Sequence, residues 1–330
     1  MTDGGLDETH VIELIKELAP SDPELEVGIG DDAALYRFNG PEVLLTVDSL
    51  YEGVHFDLAT HRLSDVGWKA AAVNISDIAA MGGSPTCALL SLGWDRSPSK
   101  TELSSLIGGL IECLSTYGCS LAGGDTCRSS GGLVLMVTVA GVPPSSGIVR
   151  RSGARPGDLV GVTGTLGDSA AGLYILKSGK DDLNAEFPEL VEAHLRPRPL
   201  VRAGEVLASL GASAVEDVSD GLARDMRNIC RASGAGCVLR EDLIPVKAEA
   251  RSLATREGVD AMDWALGGGE DFQLLFTTPP DRLDNILDAL NESGVDASRI
   301  GEVTGRGDTV IIRSSGQRTD LGGAGYEHFT

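Results

Sequence analysis

Basic residues are scarce in this 330-residue chain: 27 Lys and Arg stand against 49 Asp and Glu, a formal net charge of −22 at pH 7. A protein that grips a phosphate backbone draws its affinity from a cationic footprint, and one that docks on anionic lipid needs a basic patch. Nucleic-acid and membrane-surface binding are therefore excluded as primary roles. No apolar run reaches the roughly 20 residues of a membrane-spanning helix; the longest, 133–142, has the length of a buried strand. Histidine is rare (5), and none of the 6 cysteines forms a Cys-x-x-Cys pair, so a zinc framework is not expected. The N-terminal residues lack the basic and apolar regions of an export signal, which leads us to expect a cytoplasmic protein with reduced thiols. Aromatics make up only 4%, whereas glycine is abundant at 43 residues. Such a chain packs its elements closely and builds loops whose backbone N–H groups can approach an anion.

Apolar spacing predicts a helix over 7–18, a strand over 43–47 that ends at Asp48, and an Ala-rich helix from about Ser64 to Met81, stopped by Gly82-Gly83-Ser84-Pro85. A strand at 87–92, a helix at 101–117, a short strand at 120–122 running into Gly123-Gly124-Asp125, and a strand at 133–142 complete the first half. Pro143-Pro144 and a basic loop through Arg150, Arg151 and Arg155 mark the domain boundary, drawn here as 1–148 and 149–330. The second half interleaves a strand near 159–163, a strand-to-turn at 214–220 and a strand at 272–277 with helices near 167–178, 187–194 and 199–210, a helix after the 214–220 turn to about 233, and a helix near 281–293. Interleaving in both halves predicts an α/β (α+β) protein of two domains.

The informative pattern is acidic: Gly30-Asp31-Asp32, Val47-Asp48, Asn74-Ile75-Ser76-Asp77, Gly123-Gly124-Asp125, Glu216-Asp217-Val218-Ser219-Asp220 and Gly269-Glu270-Asp271. Any one of these acids suits a helix cap or a turn. Six such sites in one chain point further, because clustered carboxylates repel unless a cation neutralises them, and hard cations such as Mg²⁺ take oxygen ligands together with substrate phosphates. A metal–phosphate site and a non-catalytic acidic metal-binding protein both remain open on these residues alone. The known ATP motifs fail: there is no G-x-x-x-x-G-K-[ST] loop, residues 160–167 miss G-x-G-x-x-G, and no H-R-D loop occurs.

The segments GIGDDAAL (28–35), TVDSLYEGVHF (46–56), KAAAVNISDIAAMGGSP (69–85), LAGGDT (121–126), RSGARPGDLVGVTGTLGDSAAG (151–172), HLRPRP (194–199), EDVSDGL (216–222), LGGGEDFQLLF (266–276) and GYEHF (325–329) resemble, in this order, the thiamine-monophosphate kinase family. That family lies within the aminoimidazole ribonucleotide synthetase-like superfamily. The resemblance implies a two-domain fold of that type, with an ATP/Mg-binding N-terminal domain that pairs through β-strands in a homodimer and a C-terminal α/β domain. The activity it implies is ATP-dependent phosphorylation of thiamine monophosphate to thiamine diphosphate by direct in-line transfer with several Mg²⁺ ions.

Residue by residue, the resemblance makes Asp32, Asp48, Asp77, Asp125 and Asp217 magnesium ligands, with Asp220 binding a further ion and Thr46 assisting. It makes Gly124, Asp125, Arg151 and Ser219 contacts of ATP with Tyr117 as a neighbour, and His55, Glu270 and Tyr326 contacts of thiamine phosphate. Val47 departs from the family, in which a hydroxyl residue often precedes the Asp, so any metal contact there has to come from backbone oxygen. No general base is expected. His61, His194 and the three tryptophans are read as structural, and Cys127 as an ordinary thiol.

Overall fold

The computed structural model describes residues 8–18, 23–38, 40–307, 309–322 and 325–326. Its first half contains helix α1 (Glu8–Leu18), strands β1 (Leu25–Val27), β2 (Ala34–Arg37) and β3 (Glu42–Tyr51), helix α2 (Leu63–Ala80), strand β4 (Ser84–Trp94), helix α3 (Lys100–Thr116), and strands β5 (Ser120–Arg128) and β6 (Leu133–Val142). The second half opens with strand β7 (Leu159–Thr163) and four helices, α4 (Asp168–Ser178), α5 (Asp181–Glu186), α6 (Pro188–Leu195) and α7 (Val201–Ser209). Strand β8 (Ala214–Asp217), helix α8 (Leu222–Ser233), strand β9 (Gly236–Arg240) and helices α9 (Ala248–Glu257) and α10 (Ala261–Gly267) follow. Strand β10 (Leu274–Thr278), helix α11 (Leu283–Glu292) and strands β11 (Ala297–Thr304), β12 (Thr309–Ile312) and β13 (Arg318–Asp320) complete it.

The strands form two sheets, one per half: β1-β2-β3-β6-β4-β5 and β13-β12-β9-β11-β7-β10-β8. Among the described strands, β4–β5 and β9–β12 are the parallel pairs. Two differences from the sequence expectation matter for function. The strand expected to stop at Asp48 continues to Tyr51, and the short strand expected before Gly123 runs straight through both glycines to Arg128. The glycines stay extended because they lie on the sheet edge, where Gly124 presses against Leu90; a Cβ there would sit 1.8 Å from the Leu90 carbonyl oxygen.

Helix α2 is the axis of the molecule. It starts at Leu63 after Arg62, without a side-chain cap, and nearly all of its residues are buried. Glycine allows that enclosure: a Cβ on Gly67 would lie 2.0 Å from the Leu106 carbonyl of α3, one on Gly109 of α3 1.8 Å from the Ser64 carbonyl, and one on Gly204 of α7 1.9 Å from the Ala79 carbonyl. Backbones therefore touch on both flanks of α2, and the alanines between them fill the remaining space. One flank belongs to the first sheet's layer and the other to the second half, so α2 carries its polar residues into the seam between the halves.

Candidate active site

From α2, Lys69 and Ser76 reach the second half at Glu270 and Asp217, while Asn74 and Asp77 meet strand β3. Strand β3 supplies Thr46 and Asp48, which alternate onto the inner face with Leu44 and Leu50, while Val47 points to the opposite face and is 61% exposed. The Thr46 hydroxyl donates to Asp77 Oδ2, and the Asp48 backbone N–H donates to Asn74 Oδ1 at 3.0 Å. From the second half, β8 brings Glu216 and Asp217, and the Ser76 hydroxyl donates to Asp217 Oδ2 at 2.5 Å. Asp32 arrives on the Gly30-Asp31 turn. One carboxylate oxygen each from Asp32, Asp77 and Asp217 lies within 4.8 Å of the others. The cluster thus joins residues far apart in sequence from both halves.

Arg151 is the cation the chain itself provides. Its Nε and Nη2 donate to the two oxygens of Asp32 at 3.1 and 2.9 Å, its Nε lies 3.3 Å from Glu216 Oε1, and its backbone N–H donates to Asp31 at 3.0 Å. Burial opposes its charge, yet Asp32 and Glu216 hold the guanidinium well above its ordinary range. One guanidinium does not balance the acids. Burial, then Asp32, pushes Asp217 up to about 7; burial, then Asp48, raises Asp77 well above its usual range; and burial and Asp32 raise Asp31 to about 6. Asp48 is raised by burial, with Asp220 and Asp32 adding to the rise. Glu216 Oε2 and Asp225 Oδ1 are buried without a hydrogen-bond partner. An all-oxygen donor set with surplus negative charge fits a hard divalent cation.

The other candidates fall in three places. Asp220, whose charge acts on Asp48, sits on the turn after β8 beside Ser219, with Arg224 Nε at 3.4 Å. Ser219 and Asp220 hold the acceptor-side candidates through backbone bonds: the Ser219 carbonyl accepts from Glu270 N–H at 2.7 Å and the Asp220 carbonyl from Tyr326 N–H at 3.2 Å. Of the GYEHF ending, residues 327–329 lie outside the described residues. His55 follows β3, its Nδ1 accepting from Tyr51 N–H at 3.0 Å, and the adjacent Phe56 ring meets His61 at 6.4 Å.

Asp125, Gly124 and Tyr117 are not brought into the acid cluster. Asp48, Val137, Leu90 and Gly124 lie in one row across β3, β6, β4 and β5, so Gly124 is three strand spacings, about 14 Å, from Asp48. Asp125 shares the neighbouring row with Ser49, Met136 and Ser91 on the outer face, and it is exposed. Tyr117 ends α3 and packs on the first half's core, where burial raises its hydroxyl to about 12.

Sequence reasoning missed Glu216, Asp31 and Asp225 as site residues, although the first two stand next to acids it chose. It also left Lys69 unremarked and His61 and His194 as structural. In the fold these three surround Glu270. Lys69 Nζ is 3.1 Å from Glu270 Oε2, His194 Nδ1 is 3.3 Å from the same oxygen, and the His61 and His194 rings meet edge to face at 5.2 Å. Burial, then Lys69, lowers His61 to about 4 and holds His194 well below its ordinary range, so both are neutral at pH 7. Glu270 and Phe272 adopt left-handed backbone (φ 56° and 49°), costing about 1–3 kcal/mol each. The segment is clamped by Asp271, whose carboxylate accepts from Gly167 N–H at 2.7 Å and Ser169 N–H at 3.1 Å, and by Phe272, which packs into the first half's core.

This pair of sheets and its seam of acids match known proteins along almost the whole chain. The models of the AIR synthase related protein N-terminal and C-terminal domains match residues 30–142 and 155–313, which places the chain among the AIR synthase-related proteins. A thiamine-monophosphate kinase of Bacillus subtilis is 35% identical over 98% of this chain and 100% of its own, and that of Escherichia coli K12 is 38% identical over 93% of each. The solved structure of AaThiL complexed with AMPPCP and TMP superposes with a TM-score of 0.86 at 33% identity, covering 100% of both chains. The chain belongs to the thiamine-monophosphate kinase family.

Proposed function

We propose that this protein transfers the γ-phosphoryl group of ATP directly to thiamine monophosphate, releasing ADP and thiamine diphosphate, the last step in making that cofactor. The observation that carries the reading is the oxygen cluster of Asp32, Asp77 and Asp217 at the seam, set in a fold whose solved relative is complexed with AMPPCP and TMP. The acceptor is itself a phosphate with a second pKa near 6, so it is mostly a dianion at pH 7 and needs no general base. Bringing two polyanions together is the difficulty.

Asp32, Asp48, Asp77 and Asp217 would hold Mg²⁺ ions, with Asp220 and Thr46 at the margin, and such ions would supply neutralisation of phosphate charge. The chain's own residues supply position. Ser76 and Thr46 orient Asp217 and Asp77 through their hydroxyls, and Asp32 fixes Arg151 in a fork that leaves Nη1 for a phosphate oxygen. Ser219 sits where the triphosphate meets the acceptor. His55, Glu270 and Tyr326 receive the ring end of thiamine phosphate.

The working unit is a homodimer. Val47, Leu89 and Met136 lie on the outer face of the first sheet and are 61%, 50% and 39% exposed, beside the long edge strand β5. A second copy covering this face explains why Gly124 and Asp125 stand away from the acids of their own chain: they contact the nucleotide of the other copy, near Tyr117. No helix among the described residues is long and apolar enough to cross a membrane, and the enzyme acts in the cytoplasm.

The test is chromatography of ADP and thiamine diphosphate from purified protein with Mg–ATP and thiamine monophosphate. The two products appear in step. ADP without thiamine diphosphate overturns the acceptor, and neither product from folded protein overturns the activity.

A further inference from the structure

We propose that Lys69 is a positioning residue for recognition of the acceptor: from α2 it anchors one oxygen of Glu270 across the seam and so presents the other to the ring end of thiamine monophosphate. The inference rests on the acceptor reading above and adds a residue and a role to it.

Lysine is almost never fully enclosed without a partner, and Lys69 is fully enclosed in the most buried helix of the protein. Its one described hydrogen bond is to Glu270 Oε2, at 3.1 Å. Packing alone does not call for this charge, because well-packed apolar side chains of the same volume do as well as a buried ion pair or better. The pair joins α2 to the loop between α10 and β10. Glu270 itself remains 28% exposed in its side chain. From α6, neutral His194 places its Nδ1 3.3 Å from the same oxygen and 3.0 Å from the Ser169 hydroxyl. Among the described residues, the hydrogen bond and ion pairs of this carboxylate all fall on Oε2.

The loop that carries this carboxylate is strained at Glu270 and at Phe272 and is held at each residue: Glu270 N–H bonds Ser219, Asp271 bonds two backbone amides of the α4 turn, and Phe272 N–H bonds Val218. A backbone held in this way around one partly exposed carboxylate is a built acceptor of a hydrogen bond or a cation. The ring end of the acceptor offers both, a permanently charged thiazolium and an amino group on the pyrimidine. The ammonium of Lys69 also offsets the charge of Glu270, so this carboxylate does not join the acids of the metal cluster in drawing divalent cations.

The experiment is a double-mutant cycle of Lys69→Met and Glu270→Gln, read as KM for thiamine monophosphate, KM for Mg–ATP and kcat. Each single variant raises the thiamine monophosphate KM by about tenfold or more, with the Mg–ATP KM within twofold of wild type. The double variant is no worse than the worse single, because both changes remove the same oriented oxygen. A Lys69→Met enzyme with an unchanged acceptor KM overturns the proposal, as do additive effects or an equal rise in both KM values. If Lys69→Met does not fold, the double variant, which carries neither charge, is compared with Glu270→Gln: equality supports the proposal, and a further loss of about tenfold overturns it. A wild-type enzyme that forms no thiamine diphosphate overturns the acceptor reading instead, which keeps the two failures apart.

Discussion

Asp217 is pushed up to about 7 by burial and then by Asp32, and Asp31 to about 6, while both start near 3.9 in an unfolded chain. A carboxyl raised on folding contributes stability below its unfolded value and loses that contribution as pH rises through its folded value. The metal-free cluster therefore becomes a burden between about pH 4 and 7, and a cation relieves it most where the acids are fully ionised. Mg²⁺ is expected to raise the melting temperature more at pH 8 than at pH 6 in calorimetry, and Asp217→Asn to abolish most of that rise while leaving the metal-free melting temperature equal or higher. A pH-independent Mg²⁺ shift, or an undiminished shift in Asp217→Asn, contradicts the assignment. Asp32, Asp48, Asp77 and Asp217 stood out in the sequence as members of recurring short acidic segments, although Asp48 proves to lie within β3 and Asp77 within α2. That Asp48 and Asp77 come within reach of each other was not legible, since no local period links β3 to α2. Lys69 was invisible for the opposite reason: a lone lysine among alanines reads as a solvated position, and only the closure of the second half around α2 buries it.

Helix α2 was legible as an element, within a residue or two at each end, because its alanine run and the Gly82-Gly83 stop speak locally. Its role as axis depends on contacts that sequence period does not report. The backbone approach at Gly67, Gly109 and Gly204 sets how deep the helix sits, and so where Ser76 and Asp77 present their oxygens. Gly109→Ala places a methyl group against the Ser64 carbonyl and is expected to cost about 1–3 kcal/mol, read as a fall in melting temperature of several degrees. It also moves the N-terminal turn of α2, so turnover falls more than folded fraction does. Gly108→Ala, one residue away and facing open space, is the control and leaves turnover unchanged with an equal or slightly higher melting temperature. Equal behaviour of the two variants contradicts the close-packing account. Strand β5 marks where local reading ran out: two consecutive glycines signalled a turn, and the sheet edge kept them extended instead.

At the scale of the molecule, each half has its own sheet, and the site belongs to the seam rather than to either half. The division into two α/β units was legible from the interleaving of strands and helices and from the proline pair, whereas the facing of Asp125 away from its own cluster required the strand register. The outer sheet face predicts that Leu89→Asp yields monomers in sedimentation and loses activity while remaining folded; an active monomer contradicts the shared site. The central claim is that the protein contributes position and charge and forms no bond to phosphorus. It is tested most directly by turnover of ATP made chiral at its γ-phosphorus. Inversion of configuration in the thiamine diphosphate formed is the predicted result, one in-line displacement between the bound substrates. Retention, which requires a second displacement through a phosphorylated side chain, contradicts it.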